Sequence, residues 1–388
     1  MIRVITEPGE FEALSGVWNN LLQSNGSENS IYLTHEWVST WWKNFGEGKK
    51  LNILLIEREK QIVGIIPLIR NEYRVGLFKL HTLESMGPFN SNFVGLIPPE
   101  NGEEVITALL SYLAGELNKS NSIMMLKEVP EGSRFLDLLR SHVSAFSKNM
   151  VVQERVTTLA PYILLPATWD EYFHSLSRKR QWALRRGLRD SQKTHGFEFQ
   201  ICAEDQLNDK LDEFFDLHQS RWRSDNIKGI FSDPRMKEFY RDLATLFLKR
   251  NWLNFSYLTA GGEMTSAVYG YIYNGKMYPS TAARDLRYAE YGVGHLHYMF
   301  LIKYAIEKGL REFDFLKGDE PYKFYWAKAA RKYTRVMIIK RGICVDLRLR
   351  FIHEFLRLHW VKQQSLRELS SVLLMKRRDR RERKRMGL

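Results

Sequence analysis

The sequence predicts an α/β protein of two tandem lobes, each a mixed central sheet flanked by helices, with a helical basic tail at the C-terminus. Three observations carry that expectation. The chain has 388 residues, more than one compact domain usually needs, and 44% of them are apolar, enough for two cores. Period-2 and period-3.6 apolar patterns alternate through both halves. The stretch LNILLIEREKQIVGIIPL from Leu51 also aligns without gaps to LNFSYLTAGGEMTSAVYG from Leu253 in its strand–turn–strand pattern, as two copies of one unit would. The lobes are expected at 1–160 and 161–345, and the tail at 346–388.

In the first lobe, Ile2 to Ile5 reads as a short strand and Phe11 to Leu22 as helical. IYLTHEWVSTWWKNFG is aromatic-rich with a helical period. From Leu51, two strands flank a charged turn at Glu57 to Gln61. KLHTLESMGPFNSNFVGLIPPE, broken by Gly and Pro, reads as a strand and loops. An amphipathic helix over 103–118, the strand SIMMLKEV and the helix SRFLDLLRSHV complete the lobe.

The second lobe starts near Pro161. One helix from Trp169 to Lys193 holds a basic run, followed by a strand at Phe197 to Cys202. Helices are expected at Leu207 to Trp222 and Pro234 to Lys249. Three strands follow, with turns at Gly261-Gly262 and Asn274-Gly275; Asn-Gly between alternating apolar runs is a strong hairpin signal. GVGHLHYMFLIKYAIEKG reads as a glycine turn and a helix ending at Gly309. REFDFLKG and RVMIIKRGICV read as strands, and the residues after Asp346 as one or two amphipathic helices running into the basic tail.

The composition narrows the class. Cys202 and Cys344 are too few for a disulfide framework or a cysteine-rich metal site, and read as isolated thiols. No metal-spaced His/Cys set is present. The N-terminus has no apolar signal region, and no apolar run approaches the roughly 18 residues that span a bilayer. A soluble, cytoplasmic protein is expected. The net charge is +13, and residues 178–189 and 376–385 contribute +6 each, so the remainder is close to neutral. Such local positive features attract phosphates, anionic lipid or nucleic acid.

Tyr278 to Trp326 is the stretch that points to chemistry. A strand ends at Ala282–Ala283, a polar loop follows, and Tyr291-Gly292-Val293-Gly294 opens a long helix. Glycines there let the backbone approach a ligand closely. The first-turn amides of Val293, Gly294, His295 and Leu296 are expected to lack intrahelical partners and, with the helix dipole, to form an anion site suited to a diphosphate. A lone Gly-x-Gly is a weak signal; strand, Gly-x-Gly, amphipathic helix and strand in succession is more specific.

These residues resemble the GNAT superfamily, in which a strand, Gln/Arg-x-x-Gly-x-Gly/Ala and a helix hold the CoA diphosphate. Gly292 and Gly294 match, whereas Ala289 stands where Gln or Arg is expected. Within that superfamily, the chain is similar over nearly its whole length to acetyltransferases of the cellulose-biosynthesis CelD type, relatives of the FemABX peptidyltransferases. The matching pieces are Glu36-Trp37 with Trp41-Trp42, Gly64-Ile65-Ile66-Pro67-Leu68 and Ser177-Arg178-Lys179-Arg180 with Arg185-Arg186. Further matches are Leu217-His218 with Arg221-Trp222, Gly292-Val293-Gly294-His295-Leu296, and Phe313 to Lys323 with Trp326. The resemblance implies a doubled GNAT fold with acetyl-CoA or another acyl-CoA as co-substrate, bound in the second lobe, and no metal.

At such a site a neutral amine or hydroxyl attacks the thioester directly, and placement supplies much of the rate. A strand amide near Ser280, Thr281 or Ala282 would hold the carbonyl oxygen. Glu320 is the first candidate base and Asp319 the second; the pair also reads as a solvated loop. Tyr322 is the candidate acid for the departing thiolate, or a packing residue. Lys323 stands where FemABX relatives carry an aromatic-Lys pair, and is either a charge stabiliser or a surface lysine. Asp285 reads as a cap of the next turn. Arg178, Arg185 and Arg186 would meet a phosphate of the acceptor or donor, or form a solvated face; Trp37 would wall an acceptor groove, or pack. The expected acceptor is a small molecule such as an amino sugar or glycan precursor, and the tail is expected to meet an anionic membrane surface. Nucleic acid is not the expected partner. Aminoacyl transfer from charged tRNA and a non-catalytic scaffold in polysaccharide assembly are the competing readings.

Overall fold

The computed structural model describes the chain except residues 27–28, 76, 88–94, 120–121, 147, 149, 225–227, 342–349, 353 and 356–388. Cys344 and the basic run at 376–385 therefore lie outside the described residues. The chain forms two compact units. One holds Met1–Leu159 and the segment that returns from Arg331; the other holds Ala160–Ala330.

The first unit opens with β1 (Ile2–Ile5), α1 (Pro8–Ala13), α2 (Ser15–Gln23) and α3 (His35–Phe45). The hairpin β2 (Lys50–Arg58) and β3 (Gln61–Val75) leads to β4 (Phe78–Ser85), α4 (Gly102–Lys119), β5 (Ile123–Pro130) and α5 (Arg134–His142). The long strand β6 (Met150–Leu164) crosses from the residues of one unit to those of the other.

The second unit continues with α6 (Trp169–Ser175), α7 (Arg178–His195), β7 (Glu198–Ile201), α8 (Leu207–Ser224) and α9 (Pro234–Lys249). Then come β8 (Leu253–Ala260), β9 (Glu263–Tyr273), β10 (Lys276–Arg284), α10 (Val293–Glu307), β11 (Glu312–Asp314) and α11 (Pro321–Trp326). The last strand is β12 (Ala329–Lys340).

Both units share one plan. Strands β1 to β4 are antiparallel neighbours, and α4 carries the chain to β5, which lies parallel to β4. Strands β7 to β10 repeat this, with α10 leading to β11, parallel to β10. The Leu51 and Leu253 hairpins are thus the second and third strands of their units, as the sequence alignment suggested. A helix is the usual way to join parallel neighbours, because the chain must cross back over the sheet.

The cores follow the apolar stripes. Val105, Leu109, Leu113 and Leu117 recur at one-turn spacing on α4 and pack on Leu54, Ile56, Ile66 and Leu68. In the second unit, Leu301, Ile302 and Ala305 of α10 pack on Leu258, Val268, Met277 and Phe313, with Phe173 and Leu184 from α6 and α7.

Three expectations change. The single helix from Trp169 to Lys193 is two, because Leu176 is extended and Ser177 starts afresh as a cap, its Oγ accepting from Arg180 N. REFDFLKG is a strand only over Glu312–Asp314: Asp314 Oδ1 accepts from Leu316 N at 2.8 Å, and Leu316 turns with φ 59°. The short helix α11 follows the Asp319–Glu320 loop. Residues 331–340, expected in the second lobe, pair with β5 of the first, with Tyr333 opposite Pro130 and Ile339 opposite Ile123. Of the expected C-terminal helix, Ile352 and Phe355 pack against Leu80, Met125 and Met337.

Candidate active site

The site begins where β10 and β11 part. They pair only at Lys276↔Glu312 and Met277↔Phe313; β10 then runs on to Arg284, while β11 ends at Asp314. Beyond Met277, β10 has β9 as its one strand neighbour among the described residues. The free edge contains the predicted segment Ser280, Thr281 and Ala282. The register slips between Pro279 and Thr281, so Ser280 has no partner on β9. The bulge is pegged by the buried Tyr240 hydroxyl, 2.6 Å from Thr281 Oγ1 and bonded also to the Ser280 side chain.

The loop after β10 is fixed locally. Asp285 Oδ1 accepts from Arg287 N at 2.8 Å, the capping role expected of it. Gly292 is left-handed, φ 67° and ψ 36°, a conformation open to glycine at little cost, and becomes the N-cap of α10. Its carbonyl accepts from His295 N at 2.8 Å and Leu296 N at 3.0 Å. The expectation of four free amides is therefore corrected to two. Of these four, the Val293 and Gly294 amides lack a backbone acceptor, because the cap carbonyl already serves the next two.

Two arginines converge there. The Arg284 guanidinium stands within 3.4 Å of the position a Cβ on Gly294 would take. Arg180, from the first turn of α7, lies 4.9 Å above the Tyr325 ring, which itself sits 4.2 Å from the His295 ring. Neither arginine has a carboxylate partner among the described residues. Both bear on His295: burial first, then the charges of Arg284 and Arg180, hold its pKa down to about 4. His295 Nδ1 is buried without a hydrogen-bond partner. Helix α7 comes this close because of Gly187, where a Cβ would stand 2.7 Å from Tyr291 O. The cations at the turn are thus Arg284 and Arg180, from β10 and α7, while Ala289 only accepts from Gly292 N.

Helix α11 supplies the second wall. Tyr298 of α10 and Tyr322 share a hydroxyl–hydroxyl hydrogen bond, and burial pushes the Tyr298 pKa up to about 12. Glu320 and Arg284 both act electrostatically on that hydroxyl. Glu320 caps α11 with its backbone and folds its partly exposed carboxylate over Gly318, where a Cβ would collide with it. Asp319 is exposed. The structure thus brings Glu320 and Tyr322 to the first turns of α10.

Lys323 is neither a surface lysine nor a group open to the space where β10 and β11 part. It is buried, its Nζ donates to Leu316 O at 3.4 Å and to Lys317 O, and it pairs with Glu320 Oε2 at 3.0 Å. Burial lowers its pKa, against the pull of Glu320. All three donors are engaged in holding the 314–320 loop, so its expected role as a free charge stabiliser gives way to that of a clamp.

Other expected residues lie elsewhere. Arg178 is exposed, Arg185 lies 5.1 Å over the Phe173 ring, and Arg186 pairs with Asp190 at 3.3 Å; Arg180 is the α7 arginine at the turn. Trp37 belongs to the first unit, is 2% exposed and sits edge-on to Tyr32 at 4.7 Å, so it packs rather than lining an open groove. An open 450 Å³ depression lined by His195, Gln200, Lys210, Tyr257 and Thr259 includes no residue of the α10 turn or of α11. Sequence reading passed over Arg284 and Tyr298. The signal for Arg284 was its place at the end of the strand before Gly-x-Gly; Tyr298 read only as part of an apolar helix face.

Residues 177–324 match the family described as acetyltransferase (GNAT) domain. A search of the curated proteins finds no significant match. Among solved structures, the chain is similar to FemX, with 12% identity over 88% of this chain and 97% of that one and a TM-score of 0.57. It is similar also to a conserved protein of unknown function from Bacteroides thetaiotaomicron VPI-5482 (11% identity, 88% and 100% coverage, TM-score 0.54). A third is the C-terminal domain (DUF2156) of a putative lysylphosphatidylglycerol synthetase from Agrobacterium fabrum (9% identity, 88% and 96% coverage, TM-score 0.51). At these identities the likeness is one of fold. Two such units in tandem, the parted β10 and β11, and the Gly-x-Gly turn at the start of α10 agree with the domain match: residues 177–324 carry a GNAT-type acetyltransferase domain, and the protein is an acyltransferase.

Proposed function

We propose that the second unit transfers an acyl group from acyl-CoA to an amine or hydroxyl of a small acceptor. The observation that carries this reading is the meeting of the free Val293 and Gly294 amides with the Arg284 and Arg180 guanidinia at the start of α10. Amides at a helix N-terminus and unpaired arginines suit a diphosphate, the amides through the dipole and the arginines through bidentate bonds. The donor's pantetheine arm would then run along the free β10 edge at Ser280 to Ala282, where a main-chain amide would hold the thioester oxygen.

The acceptor attacks the thioester carbonyl, its proton passes to Glu320 and the thiolate leaves with a proton from Tyr322. Glu320 offers a partly exposed carboxylate, one oxygen of which pairs with the Lys323 ammonium at 3.0 Å, and the Tyr298 hydroxyl fixes the position of Tyr322. Asp319 is the second candidate base. The resemblance to CelD-type enzymes favours an amino sugar or polysaccharide precursor as acceptor, and the run at 376–385 would keep the enzyme at an anionic membrane surface. Among the described residues, no helix is long and apolar enough to cross a membrane.

Calorimetry with acetyl-CoA tests the reading. Binding by the wild type that is lost in Gly294→Trp is the expected result. Binding to charged tRNA alone would replace acyl-CoA with an aminoacyl donor, and binding to neither would leave a scaffold.

A further inference from the structure

The outer face of α7 has no part in the site yet carries the densest charge on the described chain. Six cations lie between 178 and 189, and Asp190 is the one carboxylate that pairs with any of them among the described residues, at 3.3 Å to Arg186 and 3.1 Å to Arg189. Arg178, Lys179 and Arg185 are exposed without such a partner. Positions 178, 182, 185 and 189 follow a spacing of three and four and so share one stripe of the helix. In the middle of that stripe stands Trp182, 61% exposed, with the Arg186 guanidinium 5.2 Å over its ring. The core stripe of the same helix, Leu184 and Ser191, faces inward. An indole left in water on the stripe of Arg178 and Arg185, which have no carboxylate partner among the described residues, has no folding role to explain it.

We propose that this face docks on an anionic lipid surface, with Trp182 entering the headgroup layer and Arg178, Arg185 and Arg189 meeting the lipid phosphates. Charge complementarity selects an anionic partner. The single indole on a convex helix face selects a bilayer: tryptophan prefers the boundary between water and acyl chains, and basic residues beside it add attraction to anionic headgroups. A nucleic-acid strand would call for a groove and a series of aromatic platforms, and α7 offers one. The same helix sends Arg180 to the α10 turn, so a docked surface would lie beside the site. The inference does not depend on which acyl donor that site takes.

The test is co-sedimentation of the full chain with vesicles of phosphatidylcholine alone and of phosphatidylcholine mixed with phosphatidylglycerol. The expected result is binding to the mixed vesicles only, weakened by salt, and reduced by about tenfold or more in R178E/R185E. W182A should also bind more weakly while keeping the wild-type melting temperature and acetyl-CoA affinity. Variants that bind as the wild type does would assign vesicle binding to the 376–385 run and overturn the proposal. No binding to mixed vesicles, or loss in the variants of binding to single-stranded RNA alone, would overturn it as well.

Discussion

Ser266 ties His297 to the strand that carries the site: its Oγ lies 2.9 Å from His297 Nδ1 and donates to Ala283 O at 3.1 Å. Because that proton is committed to the carbonyl, Ser266 accepts from Nδ1–H. Nε2 then accepts from Ser256 Oγ, 2.9 Å away. The ring is fully buried and neutral, with burial holding its pKa down to about 3. Helix α10 is thus joined through side chains to β8 and β9, and to β10 one residue before Arg284. Ser266→Ala should cost about 1–3 kcal/mol by leaving the imidazole donor unsatisfied. It should also weaken acetyl-CoA binding by shifting the α10 turn against Arg284. A lowered melting temperature with unchanged acetyl-CoA affinity would confine the link to stability.

Both site-proximal histidines make stability pH-dependent in one direction. Each has a folded pKa below the ordinary 6.5, about 4 for His295 and about 3 for His297. Protons therefore bind the unfolded chain first, and the stability from these neutral rings is full above pH 6.5 and falls as the pH drops toward 4. Denaturation midpoints between pH 7.5 and 5 should decline, with a shallower slope in His297→Gln. An unchanged slope would show that His297 does not contribute. The same shifts mean that neither ring gives a step in turnover between pH 6 and 8.

Arg284→Ala and Arg180→Ala should each weaken acetyl-CoA binding by roughly tenfold to a hundredfold, the range of a charge-assisted hydrogen bond. Acetyl-pantetheine, which lacks the diphosphate, should bind the variants and the wild type alike. Equal losses for both kinds of ligand would separate these arginines from the diphosphate.

Glu320→Gln should lower kcat while leaving acetyl-CoA affinity within about twofold, since the group is placed to act on the acceptor rather than the donor. Gly318→Ala is expected to lower kcat too, because a methyl there meets the Glu320 carboxylate and glycine alone is at ease at φ 120°. Should Glu320→Gln leave turnover intact, Asp319 takes its place as the candidate base.

Gly187→Ala places a methyl 2.7 Å from Tyr291 O, so α7 must back away from the α10 turn. A cost of about 1–3 kcal/mol is expected in chemical denaturation, together with weaker acetyl-CoA binding as Arg180 withdraws. Wild-type affinity in a destabilised variant would show that the Arg180 position is not limiting.

Local chemistry made much of the fold legible. Asp233 before Pro234 marks the start of α9 and caps it, as its side chain accepts from Arg235 N. Asn274-Gly275 closes the β9–β10 hairpin, with both residues at positive φ. Gly292-Val293-Gly294 marks the start of α10. The break at Ser177 was hidden because Phe173, Leu176, Leu184 and Leu188 keep one helical period across it. Lys323 was unreadable in a different way: nothing in Pro321-Tyr322-Lys323 tells that its ammonium turns inward to two carbonyls.

The sequence by itself determined the α/β class, the two repeated units and the glycine turn that opens α10, since each depends on neighbours a few residues away. Only the tertiary structure decided which arginines serve the turn, and that β12 joins the first unit. Those outcomes rest on contacts between residues far apart in the chain, such as Arg284 with Gly294, Arg180 with Tyr325 and Tyr333 with Pro130. Charge and period say that a side chain seeks a partner; packing alone selects which one it meets.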